Sequence, residues 1–170
     1  MGANIVNSMS EKVAPVIEKL IDGIVSLRIV SNLSVDRFVE SRAVFKKSEI
    51  GSTVIERILD AQEFARHDMF RCATHNKGIM NGIIGVVMAT GNDHRAIEAG
   101  AHAYAVKNGQ YGTLSYWEKN SDGDLVGSIE LPMAVGLIGG ATKVHPTAKV
   151  VIKILGVKTA NELGEVMAAV

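Results

Sequence analysis

Apolar positions recur every three to four residues through Ile5, Met9, Val13, Val16, Ile17 and Leu20, which predicts an amphipathic helix over 4–20. Pro15 falls inside it, where a missing N–H and a ring clash with the preceding turn predict a kink or a division. Asp22-Gly23 marks a turn, and Ile24 to Leu33, dense in β-branched residues, predicts a strand. A second strand is predicted over Arg42 to Lys46. Val54, Ile55, Ile58, Leu59 and Ala65 return to helical spacing across 51–66.

Cys72 to Thr90 is apolar on most sides and predicts a buried helix or a strand-like core run. Gly78, Gly82 and Gly85 fall on adjoining faces of such a helix. Each costs about 1 kcal/mol relative to Ala, so together they imply close approach by another backbone. Asn92 is placed to cap a helix over 93–107, with Asp93 at its positive end. Tyr111 to Glu118 and Leu125 to Leu131 predict two strands joined by the turn Asn120 to Asp124. Thr159 and Glu162 form a capping box that opens a last helix, still apolar at Val170. With a helix already under way by Asn4, both ends read as cut from something longer. The expected class is α+β, helix-rich, built around a buried central helix.

Composition narrows the function. With 170 residues, 47% hydrophobic and 21% charged, the chain reads as a globular domain or one and a half small ones. Eighteen basic and eighteen acidic residues cancel, leaving no basic field for a phosphate backbone, so no nucleic-acid partner is expected. No apolar run approaches the ~20 residues of a membrane span, and no secretory leader is recognisable. The chain reads as cytoplasmic. Cys72, the single cysteine, excludes an internal disulfide and reads as buried and inert rather than as a nucleophile with His75. The histidines at 67, 75, 94, 102 and 145 include no pair at metal-binding helical spacing, and no metal is expected. Neither a Gly-x-Gly-x-x-Gly nor a phosphate-binding Gly-Lys-Ser/Thr loop is present. Gly136 to Thr142 is glycine-rich and reads as a close-packed turn. Ser8 and Ser31 lack a nucleophile elbow.

The most informative stretch is Arg71-Cys72-Ala73-Thr74-His75-Asn76-Lys77-Gly78-Ile79-Met80-Asn81-Gly82. A lysine at the edge of a buried helix must be paired or functional, because an unpaired buried ammonium is costly. Asp93 is the nearest candidate partner in sequence. The two readings are an ion pair tying two helices together and a catalytic pair.

Along nearly its whole length the chain resembles the class II 3-hydroxy-3-methylglutaryl-CoA (HMG-CoA) reductases. The matching stretches are Met1 to Asn7, Ile29 to Leu33, Ala73 to Gly82, Ala89 to Asp93, Glu98 to Tyr104, Leu131 to Ala134 and Gly136 to Thr142, in the family's order. His-Asn-Lys-Gly-Ile-Met-Asn-Gly, 75–82, carries the lysine that marks class II. The resemblance implies reduction of HMG-CoA to mevalonate and coenzyme A, or the reverse, using NAD(H) or NADP(H). It implies that Lys77 polarises the thioester carbonyl and that Asp93 holds and tunes Lys77. By the same resemblance Arg71 grips the substrate carboxylate and Asn81 orients the lysine. Met1, Gly2, Ala3, Asn4 and Asn32 would lie beside the nicotinamide cofactor. Residues 1–33 would end a small α/β cofactor domain and 34–170 would belong to the large substrate domain. The site would stand at the interface of a homodimer or higher homo-oligomer. The family's catalytic glutamate and histidine stand in motifs that these 170 residues do not contain, and His102 and His145 are not in them. The alternative expectation is a non-catalytic remnant or a subunit dependent on a partner.

Overall fold

Amphipathic spacing over the first residues produces α1, Ala3–Ile21, in this computed structural model, which describes residues 2–170. The helix runs continuously through Pro15, so of the expected kink or division the division is not made. A proline removes one backbone bond, and in a 19-residue helix the turns on both sides still carry theirs. Asp22 ends it in the left-handed region at φ 50°. The chain divides into two compact units, Met1–Asn32 and Leu33–Val170.

The strand expected over Ile24 to Leu33 is not formed. A β-branched stretch becomes a strand only when a neighbour supplies a ladder, and no strand pairs with it among the described residues. Two of its amides bond instead to side chains of α1. Val25 N donates to Glu18 Oε1 at 2.9 Å and Val30 N to Asn7 Oδ1 at 2.7 Å. Ile24 and Leu27 remain 91% and 81% exposed.

In the second unit the strand expected over 42–46 begins earlier, as β1, Phe38–Phe45. A short α2, Lys47–Ile50, leads to α3, Ser52–His67, and α4, Met69–Ala89. Next come α5, His94–Tyr104, β2, Ser115–Lys119, and β3, Leu125–Pro132. Three helices close the chain: α6, Gly140–Val144, α7, Pro146–Leu155, and α8, Ala160–Ala169. The strands form one antiparallel sheet in the order β1-β3-β2, with Val39 opposite Leu131 and Trp117 opposite Gly127. The class is α+β and helix-rich. No helix of the described residues is long and apolar enough to cross a membrane.

Local signals set several junctions. Gly123, at φ 78°, turns the β2–β3 hairpin, and Asn120 Oδ1 accepts from the amides of Asp122 and Asp124. Thr159 Oγ1 accepts from Glu162 N at 3.2 Å and starts α8. The core gathers Val39, Met80, Ile83, Ile97, Leu131 and Leu163 between α4, α5, α8 and the sheet. Two glycines admit this packing. A Cβ on Gly164 would stand 2.6 Å from Val39 Cγ1, and one on Gly127 would meet the Trp117 ring inside 3.0 Å. Gly127→Ala is therefore expected to destabilise the unit by about 1–3 kcal/mol through overpacking. A denaturant midpoint equal to that of the parent chain would refute it.

Candidate functional site

The ambiguous apolar run is a helix. Asp68 begins α4 by accepting from Arg71 N at 2.6 Å, and Cys72, Asn76, Met80, Ile83 and Val87 form its buried stripe. Their spacing of three and four residues places them on one side. Opposite, Lys77, Gly78, Asn81 and Gly85 are exposed. Of the three glycines expected to admit a second backbone, only Gly82 does so among the described residues. Val170 C and O would lie 3.3 Å from a Cβ there, while Gly78 and Gly85 face open space.

Lys77 and Asn81 are one turn apart and share the exposed face. Arg71 is half-buried in the first turn. It lies about 9 Å from Lys77 along the helix and about 120° around it. The expected Lys77–Asp93 pair is not made: Lys77 forms no ion pair among the described residues. It stands about 18 Å of helix before Ala89, the last residue of α4. Asp93 itself is the cap of α5, its Oδ1 accepting from Arg95 N and Ala96 N at 3.1 Å each. Asn92, expected in that role, instead donates to Thr90 Oγ1 and accepts from Gly136 N at 2.9 Å. It thereby ties the glycine-rich 136–142 segment to the α4–α5 turn. A cap must sit where its side chain meets the next two amides, and the residue nearer the helix takes that place.

Two side chains beside Lys77 fix the rotation of α4. Asn76, 0% exposed, donates to Gly112 O at 2.9 Å and accepts from Leu114 N at 3.0 Å. Sequence reasoning assigned it no role. The available signal was an amide on a helix stripe otherwise made of core residues, which must find partners when buried. His75 Nε2 lies 3.1 Å from Ser115 Oγ. Burial, and then the Arg71 charge, hold its pKa below the ordinary 6.5. As pH falls below 6.5 the unfolded chain takes up a proton that the folded one resists, so stability is expected to drop there. His75→Gln should remove that part of the slope. A pH–stability profile unchanged by the substitution counts against it. Cys72 is buried, which pushes its thiol pKa up and fits the inert reading.

The cofactor candidates lie in the first unit. Gly2 is the N-cap of α1, and Ala3 and Asn4 form its first turn. No side chain caps that end, no acidic residue occupies it, and a Cβ on Gly2 would meet nothing within 4 Å. Exposed amides at an uncapped helix start suit a phosphate-bearing cofactor. The Val30–Asn7 bond ties the stretch leading to Asn32 back to the early turns of α1. Met1 lies outside the described residues.

A groove of about 270 Å³ between Tyr104, Lys107, Thr113, Ser115, Tyr116 and Glu130 includes none of these residues. Within it the Tyr104 hydroxyl donates to Glu130, and Lys107 Nζ donates to the Tyr104 hydroxyl at 2.6 Å. The hydroxyl bond holds the Glu130 carboxyl below the usual range.

The family model for hydroxymethylglutaryl-coenzyme A reductase matches residues 1–170. A 3-hydroxy-3-methylglutaryl-coenzyme A reductase of Archaeoglobus fulgidus is 60% identical over 170 residues, covering 99% of this chain and 39% of that protein. A probable reductase of the same name from Borreliella burgdorferi is 35% identical, covering 100% of this chain and 41% of its own length. The class II reductase of Streptococcus pneumoniae, solved bound to NADPH in open conformations, superposes with a TM-score of 0.93 at 39% identity. That match covers 99% of this chain and 42% of the other. The chain thus spans about two fifths of the length of the relatives it matches.

Proposed function

The chain belongs to the hydroxymethylglutaryl-coenzyme A reductase family, and on that premise we propose that it carries the lysine–aspartate part of a reductase active site. The reaction is reduction of HMG-CoA to mevalonate and coenzyme A, or its reverse, in the cytoplasm and without a nucleic-acid or membrane partner. When bound, NADH or NADPH supplies the two hydrides that take the thioester through an aldehyde to the alcohol.

Lys77 Nζ hydrogen-bonds the thioester oxygen and stabilises the negative charge that develops there, the kind of electrostatic task that dominates acyl-group chemistry. Asn81, one turn on, orients the ammonium. Arg71 pairs with the substrate's distal carboxylate, for which a guanidinium is geometrically suited. The Asp93 carboxylate of a second copy faces the Lys77 ammonium and holds it in place. Residues 1–33 end a small cofactor domain in which Gly2 to Asn4 and Asn32 hold the cofactor, joined there by Met1. Residues 34–170 belong to the large domain.

The observation that carries this reading is the exposed face of α4. Lys77 and Asn81 stand on it together with no partner recorded among the described residues, while every polar group on the buried stripe is bonded. Lys77 and Asp93 do not meet within one chain, which supports a site completed across a homodimer or higher homo-oligomer.

The test is a chimera in which this chain replaces the matching segment of the Archaeoglobus fulgidus relative. It is expected to consume nicotinamide cofactor with HMG-CoA within tenfold of the parent rate. A well-folded but inactive chimera overturns the reading. In it, Asp93→Asn keeps the cap of α5, since Asn caps as well as Asp, but removes the charge. Turnover is expected to fall about a hundredfold, about 2.7 kcal/mol of barrier, with unchanged melting. Activity within threefold would leave Asp93 as a cap alone.

A further inference from the structure

The turn between α4 and α5 holds Asp93 through a set of bonds centred on Asn92. It closes α4 in a Schellman motif: Gly91, at φ 70°, donates its N–H to Met88 O, and Asn92 donates its own to Val87 O, both at 3.0 Å. The Asn92 side chain then bonds on two sides. Its Nδ2 donates to Thr90 Oγ1 at 3.0 Å, and its Oδ1 accepts from Gly136 N at 2.9 Å. Both partners are themselves fixed. Thr90 is 0% exposed, and its hydroxyl donates back into the last turn of α4, with Val86 O at 2.9 Å and Val87 O at 3.1 Å. Gly136 follows buried Val135, whose carbonyl accepts from Arg37 Nη2 at 2.7 Å beside the start of β1. The position asks for a donor toward a hydroxyl whose proton is already engaged and an acceptor toward a backbone N–H. A carboxamide supplies both.

Asp93 comes next in the chain, and one of its oxygens is already engaged. Oδ1 accepts both α5 amides. Oδ2 has no partner recorded among the described residues, and the side chain is exposed. The direction in which that oxygen meets an ammonium is therefore set by the turn. We infer that Asn92 is a positioning residue for the reaction: it clamps the α4–α5 turn to the 136–142 segment and so fixes where the Asp93 carboxylate points. Charge–charge attraction falls with separation, and a carboxylate held in place beforehand needs no rearrangement while charge develops on the substrate. This inference rests on the reading of Asp93 as the partner of Lys77 in a second copy, and it names the group through which Asp93 is held.

Kinetics of the chimeric reductase test it. Asn92→Ala is expected to lower kcat about ten- to a hundredfold, the scale of a small misplacement at a reacting centre. KM should stay within about threefold, because no proposed substrate contact is removed. In the Asp93→Asn background the same substitution should cost less than about threefold, since the carboxylate it places has already lost its charge. A residue that only supports the fold would cost the same in both backgrounds. Thr90→Val removes the hydroxyl that Asn92 bonds and should also lower kcat, and Thr90→Ser should restore it. In the chain itself, hydrogen exchange reads the clamp directly. The Gly136 amide should lose protection in Asn92→Ala, while the Leu114 amide held by Asn76 keeps its own. Parental kcat in Asn92→Ala, an equal loss in both backgrounds, Thr90→Ser no better than Thr90→Val, or unchanged exchange at Gly136 each overturns the inference. Asp93→Asn at near-parental rate overturns the catalytic reading and this inference with it. A large loss in Asp93→Asn beside parental kcat in Asn92→Ala overturns this inference alone.

Discussion

Lys77→Ala in the chimeric reductase is expected to lower kcat/KM by at least about 10²- to 10³-fold, the scale of removing a principal stabiliser of a developing oxyanion. The fold should not register the change. Lys77 is exposed and its ammonium makes no ion pair among the described residues. Alanine is the best helix former, and a surface substitution away from special features moves stability by about 0.5 kcal/mol or less. Steady-state kinetics and a melting curve on the same sample check both halves. Turnover within threefold of the parent would remove Lys77 from the chemistry. Lost turnover with a lowered melting temperature would make it a structural residue. The contrast matters because most buried neighbours of Lys77 would fail in the second way.

Asn76→Ala is the second large effect, and it falls on stability. The substitution removes the donor to Gly112 O and the acceptor of Leu114 N–H, leaving two backbone groups without partners in a water-excluded site. Each costs about 1–3 kcal/mol, and the cavity adds to them. A total of about 3–4 kcal/mol is expected, read as a lower denaturant midpoint. Hydrogen exchange gives a local check, because the Leu114 amide should lose protection before the rest of the unit. A midpoint change below about 0.5 kcal/mol would mean that the 112–114 segment holds its place without Asn76. Asn76→Asp should be worse than Ala, since a carboxylate retains the acceptor but sets a buried charge against Gly112 O.

Elements carried by short-range pattern were legible. The helical spacing of Val54, Ile55 and Ile58 yields α3, the Asn120 to Asp124 turn yields the hairpin, and Thr159 with Glu162 starts α8. Each depends on residues within a few positions of one another, so the local free energy already favours the observed form. The segment from Ile24 to Leu33 failed for the opposite reason. Its β propensity is real, but a strand is a pairing, and the pairing partner is not encoded within the segment. Pro15 does not divide α1, because one lost bond in a long helix is a local cost that the remaining turns absorb.

The candidate site divides in the same way. Periodicity alone places Lys77 and Asn81 on one helical face, and the resemblance of seven stretches to the class II reductases implies the roles proposed for them. Which way that face points is a different matter. It is set by Asn76, whose partners lie 36 and 38 residues along the chain, and by His75 reaching Ser115. Asp93, read as the partner of Lys77, caps α5 within its own chain and makes no ion pair with Lys77 there. Residue order therefore determined the family, the main helices and the chemical inventory, because those depend on identity and near-neighbour spacing. The tertiary structure alone decided which groups are turned toward solvent and which are engaged, because hydrogen bonds between distant segments are made only once the sheet and α4 have packed.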